Sequence, residues 1–367
     1  MRKVHGFVMF LVIFTFLCSS CSSNKLNIVS VFCADQSTYL IDKGGKVITF
    51  DQSLNGNAGD INRPGFINDL NGIKSIAASK TSVLALKGNG SVFVWGSNYN
   101  GIYGSLSIKE SQKPVKIESL KDITNVSINE SQALAVDKEG NLYNWGVGIE
   151  EITKRTELKN VKKAVCGGWH YLALLDNGDV YVWGTNPAGQ FGNGKYSSEE
   201  TSKPQKIDSL KDIVDIDAST EHSIALDKSG NVYTWGGNSE DQLGYATQIE
   251  YSNEIKKVSG LSSIKKVYAG PSNSYALDSD GTLWAWGNNI RGQIGIGSES
   301  SEVKLPVKVE IEEVKDFSCG FEHCIAVKKD GSVWAWGDIK YSKISIDAKG
   351  REFISKPEKV DLDNLIK

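Results

Sequence analysis

Apolar and polar positions along the chain keep returning to one short pattern. In Ser223–Gly236, "SIALDKSGNVYTWG", two runs of strand composition, "SIALD" and "NVYTW", flank Ser229-Gly230. Matching pairs occur at Asn89-Gly90, Asn177-Gly178, Asp280-Gly281 and Asp330-Gly331. Asn-Gly and Asp-Gly accept the positive φ angles of tight hairpin turns, so each copy predicts a β-hairpin. The second strand is apolar on both sides. Its tryptophan alternates with an aromatic two residues earlier (Phe93, Tyr143, Tyr181, Tyr233, Trp284, Trp334), and the other face carries Val92, Leu142, Val180, Val232, Leu283 and Val333. A strand apolar on both faces has to lie between two other layers.

The hairpins form a repeat, which takes precedence over any single motif. Trp-Gly occurs at Trp95, Trp145, Trp183, Trp235, Trp286 and Trp336, in steps of 50, 38, 52, 51 and 50 residues. Five residues before each tryptophan stands a glycine (Gly90, Gly140, Gly178, Gly230, Gly281, Gly331). Five before that stands an alanine (Ala85, Ala135, Ala173, Ala225, Ala276, Ala326). A worn seventh copy, "STYLIDKGGKVITF", has Leu40, Gly45 and Phe50 in these places. Each unit also holds a weaker, Pro-containing strand, as in "KPVKIESLKDI" from Lys113 and "KPQKIDSLKDI" from Lys203. Proline, charge and half-alternation fit an edge strand. About four strands in roughly 50 residues is the size of a propeller blade. The expectation is an all-β, seven-bladed β-propeller over residues 26–367. Because the chain starts at "NIVSVFC" and ends on the Pro-containing "KPEKV", the C-terminal strand is expected to join the first blade and close the ring.

The unit resembles the repeat of the regulator of chromosome condensation family, of the form AxxxHSxALxxxGxVYxWGxNxxGQLG. Ala218–Gly244, "ASTEHSIALDKSGNVYTWGGNSEDQLG", carries the match, with a similar run at Cys166–Gly194. The resemblance covers about residues 28–365 and itself implies seven blades. Two units depart from it: the Trp145 unit lacks the Asn-x-x-Gly-Gln segment, and the Trp336 unit reads "GDIKYSKISIDAKG" there. The glycine-rich "DGTLWAWGNNIRGQIGIG", Asp280–Gly297, is then a recurring structural loop. A phosphate cradle needs its glycine loop to open a helix, and no helical periodicity follows Gly297.

The N-terminus reads as an export signal. Arg2 and Lys3 precede the apolar Phe7–Leu17, which is too short for a membrane span. "CSSCSSNK" follows and resembles the bacterial lipobox, in which the cysteine is lipidated and becomes the first mature residue. The pattern has leucine three residues before the cysteine; here Cys18 stands there and Leu17 is one further away. We expect a signal peptide at 1–20, lipidation of Cys21, a short tether at 21–25, and an extracytoplasmic, membrane-anchored lipoprotein. The alternative is ordinary cleavage and secretion. Without residues 1–20 the chain has 39 basic and 44 acidic residues, a net charge of −5 with histidine neutral. That balance argues against nucleic acid as a partner, since counterion release drives such binding through a basic face.

Candidate chemistry is sparse. His170, His222 and His323 share one repeat position, occupied elsewhere by Ser37, Ser82, Gln132 and Asn273, which suggests a repeated scaffold hydrogen bond. Cys33, Cys166 and Cys319 share another, with Ala78, Ile128, Ala218 and Ala269. A small buried site is expected there, and Cys33–Cys319, on neighbouring blades of a closed ring, is the one inter-blade disulfide to test. Asp137, Asp176, Asp227 and Asp278 are turn residues; Asp217 is the carboxylate worth inspecting near an inner strand. No metal, cofactor or catalytic set is expected. The residues that vary between units at one rim are better candidates for partner binding: Asn129, Glu130, Trp169, Glu221, Phe321 and Glu322. Aromatics on rigid turns make binding anchors.

Three functions compete. The first is a monomeric, non-enzymatic module holding a protein partner on one face. The resembled family's best-known member exchanges nucleotide on a small nuclear GTPase and binds chromatin, a role the export signal and acidic charge speak against. Secreted bacterial propellers with similar repeats include a β-lactamase inhibitor, so the resemblance implies inhibition of an extracellular enzyme as a sharper version. The second is polysaccharide or cell-wall binding through Tyr99, Tyr103, Tyr196 and Tyr245. The third is a lyase or hydrolase at the central channel.

Overall fold

The computed structural model describes residues 26–34, 37–50, 65–108, 110–298, 300–338 and 351–362. The signal and lipidation expectations therefore lie outside the described residues. Among them, strands form seven four-stranded antiparallel sheets, each built from consecutive segments of chain. Blade 5 is representative: Ile213–Ala218 lies innermost, His222–Asp227 and Val232–Gly237 form the hairpin, and Tyr251–Lys257 lies outermost. The hairpin read from the sequence is strands two and three. The Pro-containing segment is strand four, exposed and at the outer edge as its composition requires.

No blade has a core of its own. Apolar clusters lie between blades, as where Tyr39, Ile41 and Val47 of blade 1 pack with Ile76, Val83 and Trp95 of blade 2. The tryptophans at 95, 145, 235, 286 and 336 are fully buried in these seams. Four of their indoles cross to the preceding blade: Trp145 Nε1 donates to Ile102 O at 2.6 Å, Trp235 to Gln190 O at 2.6 Å, Trp286 to Gln242 O at 2.8 Å and Trp336 to Gln293 O at 2.8 Å. The acceptors sit in the glycine-rich loops. This is why those loops recur: they seat the next tryptophan, and Gly295, at φ +75°, leaves no room for a Cβ, which would lie 2.9 Å from Trp336 Nε1.

Closure differs from the expectation. The terminal strand Phe353–Lys359 pairs with Val333–Asp338 of blade 7, and blade 1 has its own two-residue fourth strand, Gly65–Phe66. The structural unit begins at the inner strand, and the Pro-containing strand ends it. The first and last blades are thus each four-stranded, and among the described residues no strand is left over for exchange. The ring closes through inner-strand caps and a histidine clasp of the kind that also join blades 5 and 6. Val31 N donates to Asp316 Oδ2 at 3.4 Å and Cys33 N to Ser318 Oγ at 2.9 Å, and His323 Nε2 lies 2.9 Å from Thr38 Oγ1. Ile28, Val31 and Leu40 pack there against Ile325, Val327 and Val333.

Candidate functional site

The inner strands end at one rim in short loops, and the repeated Trp-Gly holds those loops from behind. Gly184, Gly236 and Gly337 have φ of +104°, +100° and +92°, and a Cβ on each would stand 2.3 Å from the carbonyl oxygens of Trp169, Glu221 and Glu322. The following amides bind those oxygens: Thr185 N to Trp169 O, 2.8 Å; Gly237 N to Glu221 O, 2.9 Å; Asp338 N to Glu322 O, 2.8 Å. The residues that vary between blades therefore sit on a backbone held invariant by glycine.

These loops surround a funnel of about 460 Å³ at the channel mouth. Its floor is the shared position noted in the sequence, one residue per blade: Cys33, Ala78, Ile128, Cys166, Ala218, Ala269 and Cys319. Tyr268 closes it from below, its hydroxyl donating to Cys319 O. Trp169 and Phe321 stand at the edge with 64% and 52% of their surface exposed, so they present themselves to solvent and do not plug the core. The Cys33 and Cys166 thiols are pushed up to about 12 by burial, which keeps them protonated and poor nucleophiles.

The other rim candidates divide. Asn129 lines the funnel but is engaged by the scaffold: Nδ2 donates to Gly167 O (2.8 Å) and Gly168 O (3.1 Å), and Oδ1 accepts from Ser131 N and Gln132 N. Glu130 lines the funnel and accepts from Lys80 N at 2.6 Å. Glu221 is exposed and leans out over Gly237. Glu322 faces Arg291, 4.0 Å away. The structure brings Asn129, Glu130, Trp169 and Phe321 together on the funnel and sets Glu221 and Glu322 one residue outside it.

Each buried histidine serves a seam. His170 Nε2 lies 2.9 Å from Ser223 Oγ, His222 Nε2 2.9 Å from Ser274 Oγ, and His323 meets Thr38 as above. Ser274 donates onward to Gln242 O, so His222 donates from Nε2 and leaves Nδ1 as the bare nitrogen. Burial holds these rings neutral, down to about 3 for His170 and His222 and about 4 for His323.

The disulfide expectation is corrected. Cys319 bonds Cys324 (S–S 2.09 Å) and Cys33 is a free thiol. Cys319 and Cys324 are directly opposed in the first hairpin of blade 7, whereas Cys33 Sγ turns to Ser318 O at 3.5 Å. The bridge clips the base of the loop that carries Phe321.

Asp217 belongs to a network the sequence reading missed. The inner strands of four successive blades place Lys163, Asp215, Lys266 and Asp316 in the channel; Lys163 Nζ meets Asp215 Oδ1 at 2.8 Å and Lys266 Nζ meets Asp316 Oδ1 at 2.5 Å. Carboxylates here also cap the unpaired inner edge of the next blade, Asp217 accepting from Ala269 N at 3.0 Å. Burial raises Asp217 to about 6, opposed by the Lys163 charge. Part of the signal was present: Lys163, Asp215, Lys266 and Asp316 are each the third residue of their inner strand, whereas Asp217, at the fifth, is the single charge at its position. Asp137, Asp227 and Asp278 are turn residues as expected, each accepting backbone N–H groups of its own hairpin. Of the four tyrosines expected to be exposed, Tyr99 (91%) and Tyr196 (52%) are. Tyr103 is buried with its hydroxyl donating to Gly96 O, and Tyr245 is half-buried with its hydroxyl bonded to Lys256 O.

Fold and funnel together define a repeat propeller with a preformed mouth. The profile of the RCC1-like domain matches residues 149–365, and that of the regulator of chromosome condensation (RCC1) repeat matches 73–102 and 89–136. The chain belongs to this RCC1-like family. Among characterised proteins it is 28% identical to the ultraviolet-B receptor UVR8 of Arabidopsis thaliana over 311 residues, 81% of this chain and 62% of that one. It is 33% identical to the human probable E3 ubiquitin-protein ligase HERC6 over 167 residues, 43% of this chain and 16% of that one. The chain thus spans less than two thirds of the length of these relatives. Prp20p of Saccharomyces cerevisiae shares the fold with a TM-score of 0.74 at 22% identity, covering 85% of this chain and 83% of that one. Human WBSCR16 does so with 0.71 at 20% identity, covering 82% and 85%.

Proposed function

We propose that this chain is an exported, lipid-anchored, non-enzymatic module that holds a protein partner in the funnel. The carrying observation is the exposure of Trp169 and Phe321 at the edge of a preformed, small-residue funnel. Large aromatics fixed on rigid loops beside a cavity are the usual anchors of protein interfaces. The fold relative Prp20p is described as binding Gsp1p and histones, which supports a binding role for such propellers without naming this chain's partner. Export and anchoring at Cys21 rest on the N-terminal sequence, and inhibition of an extracellular enzyme such as a β-lactamase is the sharper form of the reading.

The test is capture of extracellular proteins on immobilised protein, run beside the Trp169→Ala/Phe321→Ala variant. A protein retained by the first and weakened at least about 30-fold by the second is the expected result. Equal retention by both would remove the funnel from the reading. Titration of a β-lactamase with micromolar protein decides the sharper form, and unchanged activity removes it. Polysaccharide binding keeps only two of its four tyrosines, Tyr99 and Tyr196. Co-sedimentation with insoluble wall glycan that is lost on Tyr99→Ala and kept in the funnel variant would favour it.

A further inference from the structure

Three tryptophans lie under a cation of the chain itself: Trp183 under Arg155 at 5.6 Å, Trp284 under Lys308 at 5.3 Å and Trp334 under Lys328 at 5.6 Å. Trp169 has no such cation among the described residues, although its ring is exposed. Carboxylates flank it instead. Asn129 Nδ2 donates to Gly167 O and Gly168 O, and a Cβ on Gly168 would stand 2.5 Å from Thr220 O, so three rim loops touch here. Trp169 is the next residue of the middle loop. Glu130 and Glu221 are the next residues of the loops on either side, and both are exposed. Lys80, the one cation on the described inner loops, stands on blade 2, two blades from Trp169. An indole face attracts a cation, and negative charge beside it adds to the pull. Trp169 is thus framed for a cation that the chain does not supply.

The rest of this face agrees. The described inner loops carry Glu130, Glu221 and Glu322 against Lys80. The outer loops, between third and fourth strands, add Glu110, Glu240, Asp241, Glu250 and Glu352 against Lys195, Arg291 and Arg351, which makes eight carboxylates to four cations. Two of those cations are engaged: Arg291 lies 4.0 Å from Glu322 and 3.9 Å from Glu352, and Arg351 meets Glu358 at 2.6 Å. Asp241 is engaged by Lys304 at 3.3 Å, and the excess stays negative. Most of the large apolar side chains that the described residues expose lie in the same loops, Tyr99, Leu106, Val147, Tyr196 and Ile290 among them. The floor of the funnel is uncharged, with cysteine, alanine or isoleucine in every blade. A negative, apolar rim around an uncharged well complements the opposite arrangement, an apolar tip flanked by positive charge.

We propose that the funnel face takes a basic loop of a protein partner, with an apolar residue at the loop's tip and an arginine or lysine laid on the Trp169 indole between Glu130 and Glu221. This rests on the reading that a protein occupies the funnel, and it specifies the chemistry of the inserted segment. Phe321, three blades away across the mouth, grips the other side of the loop.

The probe is a phage-displayed library of disulfide-closed heptapeptides. It is depleted on the Trp169→Ala/Phe321→Ala variant and then selected on the immobilised full chain. The selected peptides should carry arginine or lysine beside leucine, isoleucine or methionine. A synthetic copy of one should bind Trp169→Ala at least about 30-fold more weakly than the parent. It should bind Glu130→Gln/Glu221→Gln about 10-fold more weakly, mainly through slower association. Raising salt from about 0.05 M to about 0.5 M should erase that second difference. Glutamine keeps an acceptor for Lys80 N, so the rim loop is held in this variant. Glu139→Gln, in a turn of the opposite face, should bind as the parent does. Peptides that need the two aromatics but are neutral or acidic, or that bind the glutamine variant as tightly as the parent, overturn this inference and leave the funnel reading standing. If depletion on the aromatic variant removes every binder, both fall.

Discussion

Two seams of the ring solve one problem by different means. Between blades 5 and 6 the glycine-rich loop receives the Trp286 indole at Gln242 O, and His222 clasps Ser274. Between blades 3 and 4 both devices are missing. The short blade 3 has no glycine loop, and Gln132 stands in the histidine place. There Trp183 stacks on Tyr171 at 5.6 Å and lies under Arg155 at 5.6 Å. The inner-strand caps remain, as between blades 5 and 6 where Asp217 accepts from Ala269 N: Asn125 Oδ1 accepts from Ala164 N and Ser127 Oγ from Cys166 N, both at 2.9 Å, and Asn129 adds bonds to Gly167 O and Gly168 O. A seam needs buried apolar area and a satisfied edge, but no particular residue supplies either. That tolerance lets a ring lose a loop and free its rim for function.

The largest expected effect separates the seams at their glycines. Gly244, at φ +75°, faces Trp286, and a Cβ would lie 2.9 Å from Nε1; Gly148 of blade 3, at φ +74°, has open space. Gly244→Ala should cost about 3 kcal/mol, from left-handed strain plus overpacking, and Gly148→Ala about 1 kcal/mol from strain alone. Urea unfolding of the two variants measures the difference, and equal losses would mean that the loop does not couple the blades.

Next comes the indole itself. Trp286→Phe removes a buried hydrogen bond as well as area, whereas Trp183→Phe removes area from a ring that is stacked. We expect the first to be the more destabilising by about 1 kcal/mol in denaturant titrations. If Trp183→Phe proves as costly, the stacking and the Arg155 contact replace the hydrogen bond in full.

The repeat was legible because Ala, Gly and Trp at fixed offsets each answer a local need: a close strand, a turn with positive φ, a seam filler. The phase of the unit was not. Spacing gives the period of a repeat but does not say which strand opens it, so the sequence alone does not show that the terminal Pro-containing strand completes blade 7 and not blade 1. The cysteines failed in the same way. Equivalence along the chain put Cys33 beside Cys319 across a seam, but antiparallel register pairs each residue before a rim loop with one five positions on, as Ala218 with Ser223 and Cys319 with Cys324. The scaffold role of the histidines was legible. Their partners, Ser223, Ser274 and Thr38, stand one residue past the histidine place in the next blade, and only the ring brings them near. The loops that carry Trp169 and Phe321 do stand together at one rim, while the exposure of the two rings depends on neighbours that no single unit contains.

The smallest effect at neutral pH belongs to the clasp and grows in acid. His222 titrates near 6.5 when unfolded and is held down to about 3 in the ring, because burial disfavours the charged form and Nδ1 has no acceptor among the described residues. The unfolded chain therefore binds more protons between these values, and stability falls as pH drops through that window. Asparagine occupies the same place in blade 6, where Asn273 is buried and its side chain bonds Asn288 O, so His222→Asn should cost under about 1 kcal/mol at pH 7. At pH 4 to 6 the variant should lose up to about 1.4 kcal/mol less per pH unit than the parent. Gln132→Asn, at the seam that has no histidine, should leave that slope unchanged. Parallel acid limbs for His222→Asn and the parent would mean that the imidazole finds an acceptor when charged, and that the clasp is not what makes the ring acid-sensitive.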